Sequence, residues 1–269
     1  MNKRLIYSII AVLLVFSIYG YEHFLKEEEK TKIVTEGKNP KARTNEYFLP
    51  TSTTGQMVHH EGYSLSYSEL FEQAEWVAYE LKKGQLYNYN FERPYFEIDR
   101  AVKTGAAHWR NYKNSGYDRG HLCPAGDRNY SQAVYKETFL TSNISPQEHE
   151  FNAGIWNTLE QKVRYWAAKY DGVFVVTGGV LENDLKTIGE ERVAVPNQFY
   201  KIILDNYKGK IKMLAFLMPN KNSDKALHEF VVSVDDIEEL TGIDFFPELD
   251  DTLESQLEAS SSYKNWTFN

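Results

Sequence analysis

Short apolar runs of strand length, scattered irregularly among helical stretches, are the feature that most restricts this chain. Glu75-Trp-Val-Ala-Tyr-Glu-Leu81 alternates large apolar residues with smaller or polar ones, the period of a strand. Val173-Phe-Val-Val-Thr177, closed by Gly178-Gly179, reads as a buried strand ending in a turn. Tyr200–Leu204 and Met213–Met218 read as two more strands, with a turn region at Asn206–Lys210 between them. Helices are predicted over Tyr67–Glu75, Phe151–Tyr170 and Val234–Thr241, the last with Ser233 or Asp235 as N-cap and Gly242 just past its end. Neither an internal repeat nor a regular βαβ rhythm is visible, so the expected class is α+β. With 269 residues, 42% of them apolar, the chain can bury a real core.

The N-terminus has a different character. Lys3 and Arg4 precede an uncharged run, Leu5–Tyr21, in the pattern of a secretory n-region and h-region. Its 17 residues are short for spanning a bilayer, and Ser17-Ile-Tyr-Gly20 is a poor cleavage site. Residues 1–21 are therefore expected to be a signal peptide or an uncleaved membrane anchor. On either reading the rest is exported, to an extracellular or periplasmic space. Residues 22–56 are polar and mixed in charge, and read as a linker. The folded domain is expected over 57–250, followed by a C-terminal tail at 251–269.

The net charge of −8 argues, taken whole, against a nucleic-acid partner. The charge is unevenly spread, however. Residues 233–269 hold ten acidic side chains and one basic one, Lys264, so residues 1–232 carry a net charge of +1. Between Arg100 and Tyr130 six basic residues face only Asp118 and Asp127. The single cysteine, Cys123, excludes an intrachain disulfide and a multi-cysteine zinc site. It reads as a small buried residue. The adjacent His59 and His60 read as incidental.

The chemistry is concentrated between Tyr117 and Arg164. Asp118-Arg119-Gly120-His121 sets a charge pair beside an imidazole, which can serve as a general base once a neighbour orients the ring. Gly120 permits either an unusual backbone angle or the close approach of another group. On an unbroken helix, Asn152, Trp156 and Glu160 fall within an arc of about 80°, and Glu160 and Arg164 are i, i+4 neighbours. Trp156 reads as core.

These fragments occur in order. Asp118-Arg-Gly-His121 is followed by Ser142-Asn143-Ile-Ser-Pro146-Gln147, then Asn152-Ala-Gly154-Ile-Trp156 and Leu159-Glu160. Together the series resembles the DNA/RNA non-specific endonuclease family. Tyr63–Tyr67, Trp76–Tyr79, Val175–Gly178, Val195-Pro196, Tyr200-Lys201 and Thr241-Gly242-Ile243 extend the likeness over residues 57–250. The resemblance implies a ββα-metal (His-Me finger) core with a central, mostly antiparallel sheet flanked by helices. It implies His121 as general base, Asn152 as the protein ligand of a divalent metal, and Glu160 holding that metal's waters. Arg119 and Arg164 would lie near the phosphate, with Arg93 as a further, loosely aligned arginine. Asp118, Gly120 and Asn143 would be supporting residues. Mg2+ is the expected metal, with Mn2+ or another divalent ion also possible, and DNA and RNA are the expected substrates. The alternatives are an exported phosphodiesterase acting on another substrate, or a silent, membrane-tethered nucleic-acid-binding module. Retention of His121, Asn152, Glu160 and Arg164 together speaks against a silent module.

Overall fold

The computed structural model describes residues 48–87, 89–207 and 209–268. The run 1–21 and most of the 22–56 linker lie outside the described residues.

The described chain opens with an antiparallel meander, β1 (Met57–His59), β2 (Ser64–Ser68) and β3 (Gln73–Lys82). β4 (Asp118–His121) and β5 (Ile144–Gln147) then pair with each other in a separate two-stranded ribbon, with α1 (Gln132–Glu137) between them in the chain. A short helix, α2 (His149–Phe151), passes through a π-helical turn, Asn152–Trp156, into α3 (Asn157–Tyr170). β6 (Gly172–Gly179) returns to pair with β3. β7 (Thr187–Ile188) and β8 (Val193–Ala194) form a small ribbon. β9 (Gln198–Tyr207) and β10 (Lys210–Pro219) make a long hairpin, and β11 (Val231–Val232) closes the edge. Two helices follow, α4 (Val234–Thr241) and α5 (Asp251–Glu258). The main sheet has seven strands in the order β1-β2-β3-β6-β9-β10-β11, each neighbouring pair antiparallel.

Strand alternation sorts the apolar side chains to two faces. Val77, Tyr79, Leu81, Val175, Ile203 and Phe216 belong to one core, which α3 covers with Leu159, Val163 and Trp166. Trp76, Ala78, Val176, Ile202 and Ala215 belong to the other, covered by Val234 and Ile237 of α4 and Leu257 of α5. The layers are helix, sheet, helix. The acidic C-terminal stretch therefore lies on the face opposite α3.

The four expected strands form, each extended by several residues. α4 forms over its expected span. Ser233 Oγ accepts from Asp236 N at 3.1 Å, Asp236 Oδ2 accepts from Ser233 N at 3.0 Å, and Gly242 ends the helix with φ +67°. The helix predicted over Tyr67–Glu75 does not form. Tyr67 and Ser68 finish β2, the chain turns with Glu72 at φ +53°, and Gln73 begins β3. The turn leaves Leu70 77% exposed, so the apolar spacing read as helical serves a hairpin instead.

Packing extends beyond 57–250 at both ends. Phe48 lies against Phe174 with ring centroids 3.9 Å apart, and Trp76 Nε1 donates to the Thr51 carbonyl at 2.9 Å. At the other end, buried Trp266 packs edge-on against Trp166 at 4.9 Å. Trp166 Nε1 donates to the Thr267 carbonyl at 2.8 Å and Lys162 Nζ to the Phe268 carbonyl at 2.9 Å. The last residues thus strap α3 from outside.

Candidate active site

The site is assembled from β4, β5 and the α2–α3 helix. Their register places Arg119 opposite Pro146, Gly120 opposite Ser145 and His121 opposite Ile144. Gly120 is required by close approach. A Cβ there would sit 2.0 Å from Gln147 Oε1, a distance no real side chain tolerates. Asn143 is buried and fastens the chain just past the histidine. Its Oδ1 accepts from Cys123 N at 2.8 Å, and its Nδ2 donates to the carbonyls of Cys123 and Thr138, both at 2.9 Å.

Period-two alternation sends Asp118 and Gly120 to one side of β4 and Arg119 and His121 to the other. Asp118 therefore does not orient the imidazole. Its Oδ2 accepts from Asn152 Nδ2 at 3.0 Å and lies 2.9 Å from His149 Nδ1. The Asn152 amide is held by its nitrogen, which leaves the carbonyl Oδ1 as its unengaged donor atom. Asn152 opens the π-turn, where Gly154 leaves helical geometry at φ −96°, ψ −110°. The π-turn interrupts the unbroken helix on which the simple arc of Asn152, Trp156 and Glu160 depended. Trp156 is fully buried in the core.

His121 packs against two phenyl rings whose own centroids lie 5.2 Å apart. The Phe139 ring meets it edge-on at 5.1 Å and Phe96 lies at 5.7 Å. Each phenyl ring carries an arginine on its face. Arg93 lies 5.6 Å from the Phe139 centroid and Arg119 lies 4.9 Å from that of Phe96. His121 Nε2 is buried and has no hydrogen-bond partner among the described residues. Burial, aided by the Arg93 charge, lowers the imidazole from its ordinary 6.5 to about 4.

A second group gathers on α3. Arg164 Nε donates to Asp127 Oδ1 at 2.6 Å, and Arg164 Nη2 lies 3.6 Å from Glu160 Oε2. Both glutamate and arginine are largely buried, so this is no surface ion pair. Burial raises Glu160 to about 7 against the opposing pull of Lys201 and Arg164. Lys201 is itself buried, with Nζ 4.7 Å from the Trp156 ring centroid and no hydrogen bond among the described residues. Gly126 makes room for this group, since a Cβ there would lie 2.8 Å from Arg164 Nη2. Asp127, Lys201, Phe96 and Phe139 were not expected as site residues. Asp127 and Phe139 stand inside the motif window, but Lys201 and Phe96 arrive through tertiary packing. Cys123 is fully buried and its thiol is pushed up to about 12 by that burial, which suits a packing residue and not a nucleophile. His60 is not idle, since its Nε2 lies 2.8 Å from Asp99 Oδ2.

The sequence profile of the DNA/RNA non-specific endonuclease family matches residues 41–252. The chain belongs to that family. It is 34% identical over 245 residues to the mitochondrial nuclease EXOG of Xenopus laevis, covering 84% of this chain and 66% of that protein. It is 34% identical over 209 residues to human mitochondrial endonuclease G, covering 72% of this chain and 70% of that protein. A chain of the EndoG/EndoGI complex superposes with a TM-score of 0.71 at 31% identity, covering 77% of this chain and 91% of that one. The chain spans 66% of the length of the Xenopus laevis relative and 59% of that of the Danio rerio EXOG. The expected fold holds: an α+β, ββα-metal nuclease with a mostly antiparallel sheet between helices.

The expectation of export is corrected. The endonuclease relatives named above are mitochondrial proteins, and no helix among the described residues is long and apolar enough to cross a membrane. The Leu5–Tyr21 run had supported an extracellular or periplasmic location and a membrane anchor. It is short for a span and lacks a clear cleavage site, so its pattern did not separate one destination from another.

Proposed function

We propose that this chain hydrolyses phosphodiester bonds of DNA and RNA with little sequence preference, using His121 as general base. The observation that carries the reading is His121 Nε2: a buried imidazole nitrogen with no hydrogen-bond partner among the described residues, on a ring packed against two arginine-bearing phenyls. A base must be unprotonated and unengaged to take a proton from water, and burial supplies both conditions. Arg93 and Arg119, lying over the two phenyl rings packed against His121, offer guanidinium charge to a phosphate oxygen. The grip falls on the backbone, which every sequence shares.

The residues also fit a divalent metal. Asn152 presents a carbonyl oxygen whose amide nitrogen is tied to Asp118, and hard cations such as Mg2+ take few protein ligands and keep several waters. Asn152 would hold the ion and Glu160 its waters, with Mg2+ as the first choice and Mn2+ or another divalent ion also accommodated. When bound, such an ion polarises the phosphate and stabilises the leaving oxygen. His121 takes the proton of the attacking water, the arginines hold the phosphate, and Asp118 keeps Asn152 aimed. Arg164 and Asp127 hold Glu160 in place.

The test is digestion of supercoiled plasmid and of structured RNA by the purified chain, in magnesium and in EDTA. Both polymers should be cut at many positions in magnesium and spared in EDTA. Intact polymers in magnesium would overturn the proposal.

A further inference from the structure

A second carboxylate site stands apart from this centre. From Ser233 to Tyr263 the chain has ten acidic residues and no lysine or arginine. α4 and α5, on the sheet face opposite α3, bring Asp235, Glu238 and Glu258 together, with one carboxylate oxygen of each within 4.8 Å of the others. Such crowding on a solvated surface means little alone. Here it is joined by an uncompensated buried group. Glu258 is only 6% exposed, and its Oε1 is buried with no hydrogen-bond partner among the described residues. Glu254 Oε1, one turn earlier on α5, is also buried and unpartnered.

The surroundings make this costly for a bare protein. Glu258 holds its carboxylate buried beside those of Asp235 and Glu238, and Glu254 adds a further carboxylate one turn earlier on the same helix. Among the described residues, no lysine, arginine or histidine forms a salt bridge with Asp235, Glu238, Glu254 or Glu258. A buried carboxylate without a partner is unfavourable unless a proton or a cation relieves it. One proton on Glu258 still leaves Asp235 and Glu238 facing each other's charge. Glu238 is also fixed from behind, since its Oε1 accepts from Phe245 N at 2.8 Å. Several hard oxygens from two helices, with Asp235 open to water, match the irregular oxygen shell of Ca2+ better than the strict octahedron of Mg2+.

We propose that Asp235, Glu238 and Glu258 form a structural site for a calcium-class divalent cation that clamps α4 to α5. It shares no residue with the endonuclease centre and does not depend on the proposed activity.

The experiment is calorimetric titration of the full chain with CaCl2 after chelator treatment, together with thermal unfolding. Asn152→Ala removes the metal holder proposed for the endonuclease centre, so Ca2+ binding that survives in that variant belongs elsewhere. Asn152→Ala is expected to bind one Ca2+, and Ca2+ should raise its Tm by several degrees, as a ligand specific for the folded state does. Adding Glu258→Gln should weaken that binding at least tenfold and abolish the rise, while raising the Tm of the metal-free protein by removing repulsion. Glu258→Gln in the otherwise native chain should cut nucleic acid in magnesium as fast as wild type. Asp235→Asn, at an exposed position that packing does not need, should weaken Ca2+ binding severalfold and keeps the test decisive if Glu258→Gln does not fold. The proposal is overturned if Asn152→Ala binds no Ca2+, or if the Glu258→Gln and Asp235→Asn variants bind it as tightly as their parents.

Discussion

Asp118 Oδ2 accepts a hydrogen bond from Asn152 Nδ2 at 3.0 Å, joining the first residue of β4 to the start of the π-turn. The bond decides which end of the amide is offered to a ligand. Asp118→Ala frees the amide to rotate. Loss of such an orienting partner typically costs 10–100-fold in metal affinity or activity. Magnesium titrations of cleavage rate should show a higher half-saturating concentration of about that size, with the fold unchanged by circular dichroism. An unchanged magnesium requirement would remove Asp118 from this role.

Gly120 is a packing requirement. The Cβ of Gly120→Ala would overlap Gln147 Oε1 and Cγ, so either the β4–β5 ribbon spreads or Gln147 leaves its buried place. Overpacking of this kind costs about 1–3 kcal/mol, read as a lower denaturant midpoint. Gly120→Ala combined with Gln147→Ala should recover much of the loss, because the clashing atoms are then gone.

Two ionisations shape the acid side of the rate profile. Glu160, raised to about 7, must lose its proton to hold metal waters, while His121, lowered to about 4, must stay unprotonated to act as base. On falling pH, kcat/KM should drop tenfold per unit below about 7, and more steeply below about 4. Glu160→Gln lowers the plateau and removes the upper break. A break near the ordinary imidazole value of 6.5 that persists in Glu160→Gln would contradict both assignments. The two groups act oppositely on stability. His121 has a depressed value in the folded state, so its contribution is lost as pH falls from 6.5 towards 4; Glu160 has a raised one, so its contribution is lost as pH rises from 4.5 towards 7.

The C-terminal strap matters to the site through α3, which carries Glu160 and Arg164. Trp266 is buried against Trp166, and Trp→Ala at such positions costs about 3–5 kcal/mol. Trp266→Ala should therefore lower Tm by several degrees and expose Trp166 to fluorescence quenchers. A Tm equal to wild type would show that the tail is dispensable.

Much of this was legible in the residues. Alternation in Glu75–Leu81 and the apolar runs at 173–177, 200–204 and 213–218 placed the central strands, because period two is a local property of the chain. Ser233 and Gly242 bounded α4 for a similarly local reason. Tyr67–Glu75 misled because an apolar cluster around a tight turn mimics helical spacing over so few residues. The sequence set residues 251–269 outside the domain because Trp266 finds its partner, Trp166, a hundred residues away. In the site, Asp118 looked like a neighbour of His121 until β4 proved to be a strand, which turns alternate residues to opposite sides. Lys201 read as an ordinary strand residue; only the pairing of β9 with β6 and the packing of Trp156 bring its ammonium beside Glu160.

The central claim is that His121 is the base. Its most direct test is kcat/KM of His121→Ala against wild type on one oligonucleotide at saturating magnesium, with added imidazole as a replacement base. The account predicts a fall of about 10²–10⁴-fold, partly restored by imidazole, with the fold intact. A His121→Ala protein that cuts as fast as wild type would contradict it.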